Sequence, residues 1–330
     1  MLLFLVFILV VSQVVLLLLS PQFRDKFIFR WYYDEVYKPM ILDNSRYRIK
    51  FYVVPVFYLS VYSYMVYIFY SRTFAIISPM LTSIETYVVI PLMLILPLFF
   101  GSMSMIIKPD SSNAHQIGSE KRYPYDNLLY FPQHECRTCK QVKPARSKHC
   151  TVCNSCIYLA DHHCVWINNC VGMGNYMYFY SFLCSNLLLL SYSFIRLIFI
   201  QFNKSAYNTT PTGEKSLLIL SILCGSFTVI LAVYCYFVFE LVNSGMTTNE
   251  KDKWQMVHDY INTGDLVRDP EGKYFIKYQN GGNNYEFYST DSYDGTQYTI
   301  VDYFTVKSPA EITNIYDKGN FINNLREFIG

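Results

Sequence analysis

Five long apolar runs alternate with polar segments along this chain. They cover about residues 2–20, 51–71, 86–107, 177–200 and 217–239. Each run has about the length of the roughly 20 helical residues that cross a hydrocarbon layer of about 30 Å. No run carries a charged side chain at its centre, which is where a charge would cost most. The pattern therefore predicts an all-α polytopic membrane protein with about five transmembrane helices.

The first run resembles a signal peptide in position but not in detail. It has no basic segment in front of it, and its apolar core is longer than a signal peptide needs. No pair of small residues at cleavage spacing follows before Ser20 and Pro21. We therefore expect residues 2–20 to stay in the protein as a membrane anchor.

Lysine and arginine counts in the connecting segments predict the orientation of the spans. Residues 21–50 carry seven, residues 108–176 carry eight, residues 72–83 carry one and residues 201–215 carry two. Because basic segments stay on the cytosolic side, the first two should be cytosolic and the last two lumenal. The N-terminus is then lumenal and the C-terminal region cytosolic. The glycosylation sequons at Asn203 and Asn208 fall in a predicted lumenal segment, which agrees with this orientation.

These patterns divide the chain into four predicted parts. They are an N-terminal transmembrane region (1–107), a cytosolic cysteine-rich zinc domain (108–176), a second transmembrane pair (177–240) and a small cytosolic C-terminal region (241–330). Within the last part, a stretch rich in Tyr, Asn, Gly and Asp at about 255–305 predicts small strands or turns.

The stretch between Cys136 and Cys170 concentrates most of the chemically reactive side chains. It contains seven of the ten cysteines and three histidines. The cytosol is reducing, so a dense cysteine cluster there indicates metal binding and not disulfides. Its Cys-x2-Cys and His-Cys-x2-Cys-x2-Cys spacings are typical of tetrahedral zinc sites. Two four-ligand sites would use eight of these ten groups, and spacing alone leaves open whether His162 or His163 is a ligand.

The basic residues around these ligands do not indicate a nucleic-acid partner. The formal net charge is only +2, and the lysines and arginines alternate with metal ligands without an exposed aromatic platform. A lipid bilayer surface or the phosphates of a coenzyme fit this pattern better. The sequence assigns no residue to coenzyme binding.

A long motif in this segment resembles the signature of the DHHC protein S-acyltransferases, or palmitoyltransferases. The matching residues are Cys136-x2-Cys139, Pro144-x-Arg146-x2-His149-Cys150-x2-Cys153-x2-Cys156 and Asp161-His162-His163-Cys164-x-Trp166-x2-Asn169-Cys170-x-Gly172-x2-Asn175. The resemblance implies two structural zinc ions. Their ligands would be Cys136, Cys139, His149 and Cys156 for one, and Cys150, Cys153, His163 and Cys170 for the other.

The resemblance also implies a nucleophile, because it leaves His162 and Cys164 outside both zinc sites. Cys164 matches the cysteine that accepts the acyl group in that family. A thiol must become a thiolate to attack a thioester, so we expect His162 to take its proton and Asp161 to orient the imidazole. Palmitoyl-CoA would acylate Cys164, and an acceptor cysteine would then attack the acyl-enzyme, which gives ping-pong kinetics.

Two shorter motifs extend the resemblance into the C-terminal region. Thr247-Thr248-Asn249-Glu250 resembles the Thr-Thr-x-Glu element of the family, which packs against the catalytic region. The stretch Asn314-Ile315-Tyr316-Asp317-x-Gly319-x3-Asn323 resembles its C-terminal element, whose asparagine is expected to satisfy backbone groups near the two threonines.

The extra N-terminal span resembles the fungal SWF branch of this family. That resemblance implies an endoplasmic reticulum membrane protein that acylates membrane proteins such as SNAREs at juxtamembrane cysteines. One departure from the common pattern is Val165, which replaces a proline often found after the tetrad. We expect this change to leave the chemistry intact.

Two other functions remain possible for a chain with this composition. A membrane-anchored zinc adaptor or RING-like ligase would use the eight ligands and would not need the leftover histidine and cysteine. A thiol-disulfide oxidoreductase would use Cys136-x-x-Cys139 or Cys153-x-x-Cys156 as a redox pair and would bind little zinc. The combination of Asp161, His162 and Cys164 favours the transferase.

Overall fold

Four helices are long and apolar enough to cross a membrane. The computed structural model describes residues 12–13, 15–16, 18–42, 48–111, 123–132, 134–203, 211–279, 285–291 and 294–330. Within these residues the four candidate spans are Lys50–Met80, Glu85–Ile106, Tyr176–Phe202 and Gly213–Asn243. They coincide with the last four apolar runs. The first run, residues 2–20, lies largely outside the described residues, so the fifth span stays a prediction.

The chain forms two compact units, Met1–Val61 and Tyr62–Gly330. In the first unit, helix α1 (Phe27–Tyr32) continues as a π-helix over Tyr33–Leu42. The Tyr32 hydroxyl donates to Gln13 Oε1 at 3.0 Å. A short 3₁₀ turn, Arg48–Tyr52, leads into helix α2 (Val53–Ile68), which passes into the second unit.

The membrane part of the second unit is helical throughout its described residues. Helix α2 continues through a π-helical turn (Phe69–Thr73), helix α3 (Phe74–Ile77) and a 3₁₀ turn (Ser78–Met80). Helix α4 (Ile90–Ile106) follows the π-helical segment Glu85–Val89, and helices α5 (Tyr176–Phe202) and α6 (Pro211–Asn243) complete the set.

Small residues let the spans pack closely. A Cβ added to Gly101 on α4 would lie 2.9 Å from the ring of Phe182 on α5, and one added to Gly225 on α6 would lie 2.7 Å from the ring of Phe194. Close approach at small residues is the usual way in which membrane helices gain contact energy. Helix α5 therefore packs between α4 and α6 through aromatic rings that rest on glycines.

A polar cluster joins α5 to the start of the second described span. Arg196 Nε donates to Glu85 Oε1 at 2.7 Å, and the Tyr192 hydroxyl donates to the same oxygen at 2.9 Å. Charged groups this close to a bilayer are stable when they are paired. The pair fixes the end of α5 that lies farthest from the cysteine cluster.

Strands occur only outside the spans among the described residues. Two antiparallel hairpins form the cysteine-rich part, β1 (Lys148–Cys150) with β2 (Ser155–Ile157), and β3 (His162–Cys164) with β4 (Asn169–Val171). After helix α7 (Thr248–Thr263), a five-stranded antiparallel sheet has the order β8-β7-β6-β5-β9. Its strands are β5 (Leu266–Arg268), β6 (Tyr274–Gln279), β7 (Tyr285–Ser289), β8 (Gln297–Tyr298) and β9 (Phe304–Thr305).

The helical prediction therefore holds for the four described spans, and the strands predicted at about 255–305 are present as β5–β9. The all-α class is wrong, because the two hairpins of the cysteine-rich part were not predicted. Sequence periodicity identifies long apolar helices well, but three-residue strands are too short to produce a periodic signal. The short 3₁₀ turn Pro309–Glu311 and helix α8 (Phe321–Ile329) complete the fold. The ends of α4, α5 and α6 that adjoin the cysteine-rich hairpins are called the Cys/His side of the spans below.

Candidate active site and metal centres

The first cluster of metal-binding side chains contains Cys136, Cys139, His149 and Cys156, whose ligand atoms all lie within 4.8 Å of one another. A tight turn presents the first two, because Lys140 N–H donates to the Cys136 carbonyl at 2.8 Å. The β1–β2 hairpin presents the other two, since His149 and Cys156 are direct partners in its register.

The second cluster has the same construction and shares a strand with the first. It contains Cys150, Cys153, His163 and Cys170, again with ligand atoms within 4.8 Å of one another. His163 and Cys170 are direct partners in the β3–β4 hairpin. Because His149 and Cys150 are neighbours on β1, their side chains point to opposite sides of the strand and enter different clusters.

The ligand spacing fits tetrahedral zinc. Cys150, Cys153 and Cys170 Sγ lie 3.8, 3.5 and 3.6 Å from His163 Nδ1. A Zn–S bond of about 2.3 Å and a Zn–N bond of about 2.1 Å at the tetrahedral angle separate the two ligand atoms by about 3.6 Å. Each cluster therefore has the size of a four-coordinate zinc site. With four protein ligands each, such sites leave no open position for a substrate.

Strand alternation explains why His162 and Cys164 stay outside the second cluster. The three residues of β3 are His162, His163 and Cys164, and successive side chains point to opposite faces of a strand. His163 faces the metal ligands, so His162 and Cys164 share the other face. Cys164 is buried, with 3% of its surface exposed.

A carboxylate orients His162. Its Nδ1 lies 2.9 Å from Asp161 Oδ2, and the other carboxylate oxygen of Asp161 accepts the backbone N–H of Thr248. The Phe179 ring packs edge-to-face against the imidazole, with ring centroids 5.7 Å apart. Burial lowers the pKa of His162, but its hydrogen bonds with Asp161 and Cys164 outweigh this and raise the pKa to about 10. The same contacts therefore stabilise the imidazolium that forms when the Cys164 thiol gives its proton to His162.

Two asparagines attach the β3–β4 hairpin to the end of α4. Asn169 Nδ2 donates to the carbonyls of Ser104 and Ile107 at 2.9 and 2.8 Å, and Asn175 Nδ2 donates to the Ile107 carbonyl at 3.2 Å. Carbonyls at a helix C-terminus have no partner within the helix. The asparagines satisfy them and hold Cys164 at the Cys/His side of the spans.

The Thr-Thr-x-Glu element begins helix α7. Thr247 is its N-cap and forms a reciprocal capping box with Glu250, in which the Thr247 hydroxyl accepts the Glu250 N–H at 3.1 Å. The next residue, Thr248, gives its N–H to Asp161. The element therefore contacts the candidate catalytic carboxylate through its backbone, a contact that requires the helix to begin at this residue.

Arg146 links the same element to the cysteine-rich hairpins. Its guanidinium donates to both carboxylate oxygens of Glu250 at 2.6 Å and to the Gly245 carbonyl at 2.9 Å. Three aromatic rings surround it, with centroids 4.7 to 5.5 Å from its Cζ; they belong to Tyr123, Tyr316 and Phe328. Sequence reasoning gave Arg146 no role. Its only signal was its place in the family motif.

The C-terminal element contacts the end of α6 through the first asparagine of its motif, Asn314, but not through the last, Asn323. Asn314 Nδ2 donates to the Ser244 carbonyl at 3.0 Å. Asn323 is exposed, and its neighbour Asn324 is the buried residue that donates to the Asn243 carbonyl at 3.0 Å. Helical geometry gives the reason, because only one of two adjacent residues can face α6.

A cavity of about 480 Å³ lies between the hairpins, α7 and the C-terminal sheet. Three lysines line it, Lys143 and Lys148 from the hairpin side and Lys253 from α7, with an apolar wall that includes Leu128 and Ile276. Two carboxylates at its rim are already engaged, Asp291 by His134 at 2.8 Å and Asp294 by the Tyr298 hydroxyl at 2.6 Å. Lys253 is engaged as well, because its ammonium donates to the Leu129 carbonyl at 2.9 Å and lies 3.8 Å from the centroid of the Tyr130 ring. Lys143 and Lys148 place two further cations on the hairpin side of the cavity.

Comparison with known proteins places these features in one family. The profile described as DHHC palmitoyltransferase matches residues 130–255. Palmitoyltransferase SWF1 of Saccharomyces cerevisiae is 42% identical over 337 residues, which cover 98% of this chain and 99% of the yeast protein. The protein of that name from Kluyveromyces lactis is 42% identical over 99% of this chain and 98% of its own length, and that from Eremothecium gossypii is 39% identical over 97% and 93%.

Proposed function

Since the chain belongs to the DHHC palmitoyltransferase family and is a protein S-palmitoyltransferase, we propose that Cys164 carries the palmitoyl group from acyl-CoA to an acceptor cysteine. The observation that carries this proposal is the position of Cys164 on the face of β3 opposite the metal ligand His163. Cys164 shares that face with His162, the residue that can hold its proton. The zinc adaptor and oxidoreductase alternatives give this pair no role.

The proposed reaction has two halves. His162 takes the proton of Cys164, and Asp161 stabilises the resulting imidazolium through the hydrogen bond to Nδ1. The thiolate attacks the acyl-CoA carbonyl, the new thioester forms on Cys164, and the CoA thiolate leaves with a proton from His162. An acceptor thiol then loses its proton to His162 and attacks the acyl-enzyme, which restores the free Cys164.

The backbone of Thr248 completes the orientation of the proposed catalytic residues. Its N–H binds one carboxylate oxygen of Asp161 while His162 binds the other. A carboxylate held at both oxygens cannot rotate away from the imidazole, so the ring keeps one tautomer and one direction. Thr248 is thus a positioning residue in this proposal.

The proposed zinc ions have a structural role. The first would be bound by Cys136, Cys139, His149 and Cys156, and the second by Cys150, Cys153, His163 and Cys170. Zinc bound there would supply the folding energy that hairpins of three-residue strands cannot obtain from a hydrophobic core of their own. The proposed catalytic groups Asp161, His162 and Cys164 sit on this scaffold without binding metal.

The lysine-lined cavity is the proposed site for the phosphates of acyl-CoA. It begins at Asn249, the residue after the Thr248 that contacts Asp161, and it extends along α7 to Tyr260. At 1.5 Å per residue this part of α7 is about 17 Å long, so the cavity runs along α7 away from the turn that holds Asp161. Lysines are effective ligands for phosphate groups. The fatty chain would lie in the opposite direction, between the spans, because each methylene removed from water contributes about 0.8 kcal/mol.

The acceptors proposed here are juxtamembrane cysteines of membrane proteins. Asn169 and Asn175 hold the β3–β4 hairpin at the end of α4, so Cys164 has a fixed depth relative to the bilayer. Acceptor cysteines must reach the same depth. The resemblance to the SWF branch supports SNAREs as acceptors and the endoplasmic reticulum membrane as the location. The asymmetry of lysine and arginine between the connecting segments supports a lumenal N-terminus and cytosolic hairpins.

Labelled palmitoyl-CoA tests the nucleophile. Purified wild-type protein and Cys164→Ser would be incubated with it, and hydroxylamine-sensitive label would be measured together with zinc content. We expect label on the wild type alone and about two zinc ions on both proteins. Equal label on the two proteins would contradict the assignment of Cys164, and label on neither would favour the adaptor.

A further inference from the structure

Helix α8 divides its surface into three sectors. The first faces the spans: the Phe328 ring packs edge-on against Tyr176 at the start of α5, with centroids 5.1 Å apart, and Asn324 donates to the Asn243 carbonyl at the end of α6. Phe321 contacts Phe239 of α6 in the same way, with centroids 6.1 Å apart. Packing against α5 and α6 therefore explains the two aromatic side chains of this sector.

The second sector is apolar and exposed. Ile322 and Ile329 are 53% and 42% exposed, and they are seven residues apart, which is about two helical turns, so they lie on one line of the helix. Leu325 flanks this line on one side, and the exposed Arg326 flanks it on the other. Ile315, shortly before α8, is a further exposed apolar side chain at 42%.

The third sector is polar. Asn323 and Glu327 are one turn apart and lie on the side of α8 away from the exposed isoleucines. A helix at a bilayer surface needs such a division, with one apolar stripe in the acyl boundary and a polar face in water. Helix α8 has both of these faces, and its first sector packs against α5 and α6.

The level of α8 decides what the exposed stripe faces. Tyr176 is the first residue of α5, and Phe239, which Phe321 contacts, is the last residue of the apolar run in α6. Helix α8 therefore packs where the apolar parts of two candidate spans end on the Cys/His side, which is the level of the membrane interface when these spans cross the bilayer. We propose that α8 is an interfacial helix that inserts Ile322 and Ile329 into the lipid leaflet on this side.

The surface around α8 continues the lipid-facing surface of the spans. Met177 on the first turn of α5 is 56% exposed, and Phe237 near the end of α6 is 52% exposed. Side chains this apolar on candidate spans are solvated by lipid. Lys318 and Arg326 are exposed beside the isoleucine stripe and add attraction to anionic headgroups. Lipid fits both the apolar stripe and the adjacent charges.

A contact between α8 and the bilayer would also stabilise the position of Arg146 and of the start of α7. Phe328 lies against the Arg146 guanidinium at 5.5 Å, and Arg146 pairs with Glu250, two residues after the Thr248 that holds Asp161. A bilayer contact on α8 therefore fixes the depth of residues that connect to the catalytic carboxylate. The inference concerns the placement of α8 and holds whichever residue carries the acyl group.

Site-specific photo-crosslinking tests the proposal with the full chain. The photoreactive residue p-benzoylphenylalanine would replace Ile322, Ile329 or Asn323, and Ile222, which is 57% exposed on α6, would be the lipid-facing control. The variants would be reconstituted into vesicles of phosphatidylcholine and phosphatidylserine that carry an alkyne on one acyl chain. Lipid adducts would be quantified after irradiation.

We expect adducts at 322 and 329 that match those at 222 and exceed those at 323 by at least about fivefold. Equal yields at 322 and 323 would overturn the proposal, because both sectors would then face the same medium. A crosslinked dimer at 322 or 329 in place of the lipid adduct would also overturn it and would show that a second copy covers the stripe. All of the substituted side chains are exposed, so the fold should tolerate the bulky residue.

Discussion

Arg146 and Glu250 form a bidentate ion pair across 104 positions of the chain, and each side chain is only 1% exposed. Both N–H···O distances are 2.6 Å. Two parallel charge-assisted hydrogen bonds fix both the distance and the angle between their partners. The pair thus sets the position of α7 relative to the cysteine-rich hairpins, and with it the position of Thr248 beside Asp161.

Replacing Glu250 with glutamine should destabilise the protein by about 3–5 kcal/mol, because it leaves the Arg146 charge buried without a counter-charge. Palmitoyl transfer should fall with it, since the start of α7 would lose its anchor. Thermal unfolding in detergent and acyl-enzyme formation would measure both effects. Glu271→Gln is the matched control, because Glu271 also pairs with a cation but lies 75% exposed, and it should change neither quantity. Unchanged unfolding of Glu250→Gln would contradict the role given to the pair.

Asp161→Asn should slow acylation of Cys164 by roughly 10²- to 10⁴-fold, which is the usual range for the loss of an oriented general base. The amide can still accept from Thr248 but cannot stabilise an imidazolium at His162. Single-turnover labelling with palmitoyl-CoA would give the rate. Asp252→Asn, at an exposed position of α7, should leave it unchanged. A wild-type rate in Asp161→Asn would remove Asp161 from the proposed mechanism.

Removal of zinc should unfold the two hairpins and abolish palmitoyl transfer, because the four ligands of each cluster would no longer be held together by a metal ion. A chelator should release about two zinc ions per chain, and residues 134–171 should become sensitive to proteases. Cys139→Ser should lower the zinc content. Cys184→Ser should not, because Cys184 lies on α5 outside both clusters. Full activity after complete chelation would contradict a structural role for zinc.

Lys143→Ala and Lys148→Ala together should raise the KM for palmitoyl-CoA by about tenfold or more. Hydrogen bonds to charged groups contribute about 1.5–3 kcal/mol, and 1.4 kcal/mol corresponds to a factor of ten. The zinc content should stay the same. Lys140→Ala serves as the control, because Lys140 is exposed in the same segment but does not line the cavity. An unchanged KM in the double variant would place the coenzyme elsewhere.

Asn324→Ala should destabilise the protein by about 1–3 kcal/mol, because it removes the hydrogen bonds that this side chain, only 1% exposed, makes with the Asn243 carbonyl and the Lys318 N–H, each of which contributes about 0.5–1.5 kcal/mol. Its neighbour provides the control: Asn323 is exposed, and Asn323→Ala should have almost no effect. Thermal unfolding of the two variants would separate them. If Asn323→Ala were the more damaging change, the C-terminal element would have to pack in another register.

The sequence predicted the spans well because their signal is local. A run such as residues 177–200 is apolar at nearly every position, and a helix is one of the few structures that satisfies its own backbone in lipid. The match at Tyr176–Phe202 follows from that requirement alone. Strands were expected at about 255–305, where β5–β9 lie, but the two cysteine-rich hairpins were missed because zinc ligands, and not alternation, determine them. Hairpins of three residues per strand carry no periodic pattern.

The motif residues led to the family and the enzyme class, and the comparisons confirm both. The motif did not reveal how its parts meet. Arg146 and Glu250 are each ordinary charged residues in the sequence, and only the fold buries them together. The same holds for Asn324, whose importance depends on which side of α8 faces α6.

By itself the sequence determined four candidate spans and the acyltransferase motif, because these depend on local apolar content and on short spacings between side chains. The resemblance to the family then implied the eight candidate zinc ligands, since spacing alone left His162 and His163 open. The tertiary structure decided which groups act together: Thr248 with Asp161, Arg146 with Glu250, and α8 with the ends of α5 and α6. These contacts join residues that are about 80 to 150 positions apart in the chain. No local pattern encodes them, because they form only when packing brings distant backbone and side chains to one place.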